Sequence, residues 1–530
     1  MPEQQNTPPP PVPPVSRRSL LFAGMGLPLL LTSCRAGHTA IADPAESTAG
    51  SVTLALAGGP ASLDFTRTDG VAIPLVLMGN VYEGLVRINE SGGLDPLLAE
   101  DWTVSDDRRT YTFTLRQGVA FSNGAPFDAE SAVFSIERVR SDAWTNGLSA
   151  GMDVVASVTA EDTHVLRVEL SEPSNRWLWS MGTLIGAMMT EDGVDELATA
   201  PVGTGPFTVD RWARGQSLRF AANKDYWGEP AASDSVTVQY YADATASTNA
   251  LQAGDVDAVY DMQSPELATV LERDDDLVIE TGATSGTVLL SMNNRVAPFD
   301  DLRVRQAVMY AVDRQAVIDT AWGGFGDDSG GAPAPPTDPW YVESSRYPHD
   351  PQAARELLRE AGQEDLHITF KVPTRPYAQQ ISEIVASQLR DVGIVAAIES
   401  VEFPALWLDE VFTRHDYQMS VIVHAEARDI PVLYGNPDYY LGYDDERTRE
   451  LLARADRESP QTQTELMRAA VDRIVDQAAS DTLFVFPNIV VRRRGLQGLP
   501  SRRPTDELLL SAVTNRGDPS QEDQAQEDGS

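Results

Sequence analysis

Acid–base, nucleotide and metal chemistry all need side chains at fixed spacings, and the chain offers few of them. Its six histidines are His38, His164, His349, His367, His415 and His424. None falls in an HExxH pattern, and His415 and His424 stand too far apart for that pair, so both read as solvated or core-satisfied rings. Neither Lys224 nor Lys371 follows a glycine, so no Walker loop is present to cradle phosphates. Asp300 with Asp301, or the run Asp274 to Asp276, could be imagined as general acid and base. The first precedes an amphipathic run as a helix cap does, and the second has the composition of a solvated turn. Glycines cluster at Gly58 and Gly59 and at Gly323, Gly324 and Gly326 without the GxGxxG spacing. The first pair follows a strand and could let backbone approach a ligand. No catalytic residue, cofactor or resident metal is expected from these patterns.

The elements around these residues are those of an exported globular protein. Of 530 residues, 42% are hydrophobic and 23% charged, enough apolar surface for a large core in about three structural units. Lysine plus arginine total 41 against 79 aspartate plus glutamate, a formal charge of −38, which repels a phosphate backbone and argues against nucleic acid as a partner. Cys34 is the sole cysteine, so no structural disulfide or thiolate cluster is available. Ser16, Arg17 and Arg18 lead into an apolar stretch from Leu20 to Leu31, shorter than the roughly 20 residues that span a bilayer. Leu31-Thr32-Ser33-Cys34 resembles a bacterial lipobox and SRRSLL resembles the twin-arginine export signature. Together they imply a signal peptide over 1–34, lipidation at Cys34 and a site of action outside the cytoplasm on the outer face of the membrane. Residues 35–50 then form a tether whose ends lie about 20 Å apart by random-coil scaling. The acidic, aperiodic stretch 516–530 is expected to be disordered.

Between these ends, strands and helices mix. Ser51 to Ala57 and Thr110 to Arg116 alternate at period two, as do Leu166, Val168 and Leu170. Asp350 and Pro351 open a helix with Ala354, Leu357, Leu358 and Ala361 on one face, and Gly362 closes it. A second helix carries Ile381, Ile384, Val385, Leu389 and Val392, stops at Gly393 and returns as a strand from Ile394. Proline-dense Pro333 to Pro339 reads as a long surface loop. This alternation predicts α/β lobes.

Several longer segments carry a family resemblance. VYEGLVRIN from Val81, the run from Asp95 to Val139, PVGTGPF (Pro201 to Phe207), NKDYWG (Asn223 to Gly228), LQAGDVDAV (Leu251 to Val259) and the run from Asn293 to Arg314 follow one another as in the extracellular solute-binding proteins of ABC importers, peptide and nickel family, family 5. Each also has a plain structural reading: the glycines of GTGPF for a sharp turn, Trp102 and Trp227 as packing anchors, and Val304, Val308 and Ala311 as a buried helix face. The resemblance implies an α/β, two-lobed periplasmic-binding-protein-like fold of the large, cluster C type. Lobe one would span about 50–285 with an extra subdomain near 93–201 and be completed by about 485–512; lobe two would span about 286–484. It further implies a monomer that binds a small solute or peptide between the lobes and delivers it to an ABC permease with its ATPase subunits. Other solutes in the family include glutathione, haem, a nickel chelate and a sugar, and an extracellular hydrolase is the competing class.

The Arg375-Pro376-Tyr377 segment resembles the dipeptide-binding branch, where that arginine pairs with the peptide carboxylate. The loop that carries the amine-binding aspartate in that branch reads HAEARDIP here, His424 to Pro431. Glu426 and Asp429 are both offset, and Ala427 or Arg428 takes the expected position. Tyr439, Tyr440 and Tyr443 could line the cleft or pack in the core. Two acyl chains at Cys34, each contributing about 0.8 kcal/mol per buried methylene, would anchor the protein stably where one chain is marginal. Fractionation of cells carrying Cys34→Ser should therefore find the protein in the medium. Retention in the membrane fraction at the parental level would remove the lipobox reading.

Overall fold

The computed structural model describes residues 50–68 and 70–516. The signal segment, Cys34, nearly all of the tether and residues 517–530 lie outside the described residues. A ten-stranded mixed sheet organises the rest. Its strands run in the order Ile394–Val401, Leu366–Pro373, Met419–His424, Leu277–Met292, Ser480–Arg493, Ala258–Val259, Ser51–Leu56, Ser235–Tyr240, Ser217–Ala222 and Phe207–Ala213. Parallel pairs bear crossover helices, as between Leu366–Pro373 and Ile394–Val401, which the helix Pro376–Asp391 connects. A second sheet of four antiparallel strands, Ala99–Val104, Thr110–Leu115, Val165–Leu170 and Val155–Asp162, packs against the helix Ala129–Val139. Asp128 and Ser131 start that helix with a reciprocal capping box.

Side chains alternate along a strand, so the central strands serve two apolar cores at once. Leu54 and Leu56 join one core and Ala55 the other; Val490 faces the first, Ile489 and Val491 the second. The two long strands Leu277–Met292 and Ser480–Arg493 pair antiparallel along their length and carry the chain between lobes. Their ladder is interrupted between Ala283 and Thr287. Thr284 satisfies the exposed groups there, its Oγ1 donating to Phe486 O at 2.7 Å and accepting from Gly286 N at 2.9 Å. The expected limits near 285 and 485 both fall at this irregularity, inside continuous strands.

The helix signals translate directly. Asp350 caps Pro351–Ala361 and Gly362 ends it at φ 71°. Gly393 ends the 376–391 helix segment at φ 100°, and Asp301 caps Leu302–Ala311, whose Val304, Val308 and Ala311 are buried. Two readings change. The Pro333–Pro339 segment has no regular structure, as expected, but most of it is buried rather than on the surface. Prolines lack the N–H whose burial would otherwise need a partner, so such backbone can run inside the protein. The GTGPF glycines serve close approach and not a left-handed turn. A Cβ on Gly203 would lie 1.9 Å from Val81 O, and one on Gly205 would lie 2.3 Å from Asn80 O.

That close approach lets three of the family segments meet at one side chain. Glu83 from VYEGLVRIN is 2% exposed. Its Oε2 accepts from Thr204 Oγ1 of GTGPF at 2.8 Å and from Trp227 Nε1 of NKDYWG at 2.9 Å, and its Oε1 accepts from Tyr226 OH at 2.7 Å. Burial raises the carboxyl above its ordinary range, against the three donors. Glu83→Ala would leave buried donors unpaired and should cost about 3 kcal/mol or more of unfolding free energy. Glu83→Gln can keep all three contacts, its amide oxygen replacing Oε2 and its NH2 donating to Tyr226, and should stay within about 1 kcal/mol of the parent in denaturant titration.

Candidate ligand-binding cleft

The strand Met419–His424 ends at His424, and a short loop turns into the helix Ile430–Gly435. Arg428 in that loop has φ 58°, a left-handed conformation that costs a non-glycine residue about 1–3 kcal/mol. The turn carries its guanidinium between two indoles. Arg428 lies 4.7 Å from the ring centre of Trp340, next to the proline-dense segment, and 4.7 Å from that of Trp179, on the helix Asn175–Ser180 of the other lobe. Its Nη2 donates to Gly92 O at 2.5 Å, in the turn between the strands Val86–Ile88 and Leu94–Pro96. Gly92 takes φ +73°, and a Cβ there would meet Thr337 O at 2.2 Å, so the absence of a side chain lets the hairpin touch the proline segment. Burial lowers the guanidinium to about 10, which keeps it charged at neutral pH.

Further contacts close the same interface. Asn175 Nδ2 donates to Ala455 O at 3.0 Å and Glu458 O at 2.6 Å, while Ser174 Oγ and the backbone N–H of Arg176 donate to Asp456 at 2.9 and 2.7 Å. Arg502 reaches Pro336 O at 3.1 Å.

Carboxyls crowd around Arg428. His424 is buried, stacks on Tyr440 with ring centres 5.8 Å apart and shares a 2.8 Å hydrogen bond between Nε2 and the Tyr440 hydroxyl. Its Nδ1 stands 3.7 Å from Asp429 Oδ2. Burial pushes His424 down to about 4 and Asp429 up, so a neutral imidazole faces that carboxyl and the two form no ion pair near neutrality. Ligand atoms of His424, Glu426 and Asp429 lie within 4.8 Å of one another, close enough to share a metal ion. Asp338 is 8% exposed; burial lifts it to about 6 against the charge of Arg428. From the other lobe, burial lifts Asp506 to about 6, with Glu426 and Asp261 adding to the rise, and lifts Glu507 to about 8. Arg503 pairs with Asp261 at 3.7 Å.

Four of the expected site residues gather here. Glu426 and Asp429 share one loop, Tyr440 reaches it through His424, and Tyr377 OH accepts from Val423 N at 3.2 Å. Tyr440 is 1% exposed and Tyr443 4%, both in the core, whereas Tyr439 is half-buried against Phe412. Arg375 caps Pro376–Asp391, stands exposed with its guanidinium 4.7 Å above the Phe403 ring, and has no carboxylate partner among the described residues. Gly58 is exposed, while Gly59 sits under the Tyr240 ring, where a Cβ would come within 2.5 Å. Sequence reasoning missed Asp338, Trp340, Trp179, Arg503, Asp506 and Glu507, whose only signals were a proline-dense segment and a charged stretch near the end of the fold. Gly147-Leu148-Ser149-Ala150-Gly151 does match the GxSxG spacing of hydrolases. It forms a 3-10 turn instead of a strand–turn–helix elbow, and Ser149 Oγ donates to Asn146 O at 3.2 Å.

A two-lobed sheet crossed by paired strands, with polar groups of both lobes facing each other, agrees with the sequence comparison. Residues 93–455 match the bacterial extracellular solute-binding proteins, family 5 Middle. The chain belongs to this family of binding proteins. Among curated relatives, it is 29% identical over 337 residues to the glutathione-binding protein GsiB of Salmonella paratyphi A, covering 61% of this chain and 64% of that protein's length. The fold is shared with DppA from Helicobacter pylori, in complex with the peptide STSA, at TM-score 0.70 and 24% identity over 88% of this chain and 98% of that one. It is also shared with CtaP from Listeria monocytogenes, at TM-score 0.78 and 19% identity over 88% and 99%. Arg428 ties three segments together, those of Gly92, Trp179 and Trp340. Arg428→Ala removes two cation–π contacts and a hydrogen bond, and at about 1 to 3 kcal/mol it should weaken solute binding about 5- to 150-fold in calorimetry. The denaturant midpoint of the ligand-free protein should barely change.

Proposed function

We propose that the chain is the substrate-binding lipoprotein of an ABC importer, which captures a di- or oligopeptide between its lobes and delivers it to a membrane permease with its ATPase subunits. On this reading it acts as a monomer, anchored through Cys34 to the outer face of the cell membrane after twin-arginine export. Lobe one covers about 50–285 and 485–512, with its extra subdomain at 93–201, and lobe two covers 286–484. The reading is supported by an exposed cation and a carboxyl-bearing loop, with Tyr377 hydrogen-bonded beside that loop. Arg375 stands exposed without a carboxylate partner, while Glu426 and Asp429 supply acceptors for an ammonium group near Tyr377 and His424. A protein at −38 repels anions at long range, so a ligand carboxylate needs a local cation, and arginine's planar fork suits it. Closure follows only if the ligand touches both lobes, since equal affinity for open and closed forms shifts nothing.

Binding without catalysis has a direct readout. Mass spectrometry of the solute released from purified protein should find one intact peptide per chain, and turnover of that peptide would point to a hydrolase instead. Arg375→Ala should lose about 2 to 5 kcal/mol for the released peptide, roughly 30- to 4,000-fold in calorimetric affinity. Binding within threefold of the parent would remove Arg375 from the site.

A further inference from the structure

The carboxyls at the interface outnumber the cations that face them. Asp261, Asp506 and Glu507 come from one lobe, and Asp338, Glu426 and Asp429 from the other. Arg503 is engaged with Asp261, and Arg428 with Gly92 and two indoles. Asp338 Oδ2, Asp429 Oδ2 and Glu507 Oε1 are buried and have no hydrogen-bond partner within the protein. Buried acceptors left this way are costly unless a ligand or proton completes them. Like charges brought together from two lobes also oppose closure, and a ligand that neutralises both sides binds the closed form better than the open one.

We infer that the solute is net-cationic, with two or more ammonium or guanidinium groups that bridge the Glu426–Asp429 loop of one lobe and the Asp506–Glu507 segment of the other. This rests on the binding-protein reading above and narrows it to basic peptides. One cationic group satisfies one side of the cleft and leaves the other unpaired. A metal ion held by His424, Glu426 and Asp429 would engage a single loop of a single lobe, so it would not draw the lobes together. An anionic peptide such as glutathione would add a negative charge to an acidic cleft. The formal charge of −38 guides cations in the same direction during approach. Protons compete for the same acceptors: burial lifts Asp338 and Asp506 to about 6 and Glu507 to about 8. The other groups that face them are Arg428, Arg503, Glu426 and Asp261, and burial keeps the His424 imidazole neutral. A cation pairs with the raised carboxyls only after their protons leave, so its affinity should climb as pH rises from 5 to 8.

Calorimetry and thermal shift on the wild-type protein with tri-lysine, tri-alanine, glutathione and nickel or zinc alone test this. Tri-lysine should bind at least tenfold more tightly than tri-alanine, glutathione should not bind, and the tri-lysine affinity should rise between pH 5 and 8. Glu507→Gln, which keeps the shape of the side chain, should reduce the preference for tri-lysine over tri-alanine severalfold, and an undiminished preference would overturn the inference. Equal binding of tri-lysine and tri-alanine, or glutathione binding tightest, would overturn the inference and leave the peptide reading standing. Stabilisation by the metal alone would overturn it as well. Failure of every peptide in a broad library to bind would count against the binding reading itself.

Discussion

The guanidinium of Arg428 is held at once by groups from distant parts of the chain, and the loop around it is organised by that grip. Two indoles from different lobes sandwich it, and a carbonyl in a glycine turn accepts its hydrogen bond. To put it there, the loop accepts a left-handed backbone at a non-glycine residue, Gly92 gives up its side chain, and a proline-dense segment runs buried to deliver Trp340 and Asp338. Local strain of this kind persists only where the surroundings over-determine it. The consequence is electrostatic. With its guanidinium engaged by two indoles and Gly92, the Arg428 loop offers a ligand carboxyls rather than positive charge.

Fold and ligand are written in different parts of this chain. Glu83, Thr204, Tyr226 and Trp227 come from three well-separated segments and converge on one buried carboxylate, away from the Arg428 loop in the bonding network. These segments carry the family resemblance, and what they build is a buried packing site. The cleft is built from loops whose backbones are positioned by that frame, so their residues can change without disturbing it. The neighbour solved with a peptide shares the fold.

What the sequence made legible follows the same division. Local rules sufficed for the helix Pro351–Ala361, where Asp350, Pro351 and Gly362 occupy cap positions, and for strands such as Thr110–Leu115 with strict alternation. Glu426, Asp429 and Tyr377 were singled out by the resemblance to the dipeptide-binding branch and not by local rules; Glu426 and Asp429 share one loop, and Tyr377 accepts a hydrogen bond from the strand before it. Local rules failed where partners are distant. Nothing near Asp338 marks it as buried beside a residue ninety positions later, and Trp179 meets Arg428 from a helix far away in the sequence. The proline-dense segment was assigned to the surface because prolines mark turns, whereas here their missing donors permit burial.

The central claim is that an oppositely charged solute draws two lobes together around paired crossing strands. Small-angle scattering from the wild-type protein, with and without a saturating bound solute, tests it most directly. The account predicts that the radius of gyration falls on saturation and that the bound profile matches the closed arrangement described above. A profile unchanged by a solute whose binding calorimetry has established would contradict it.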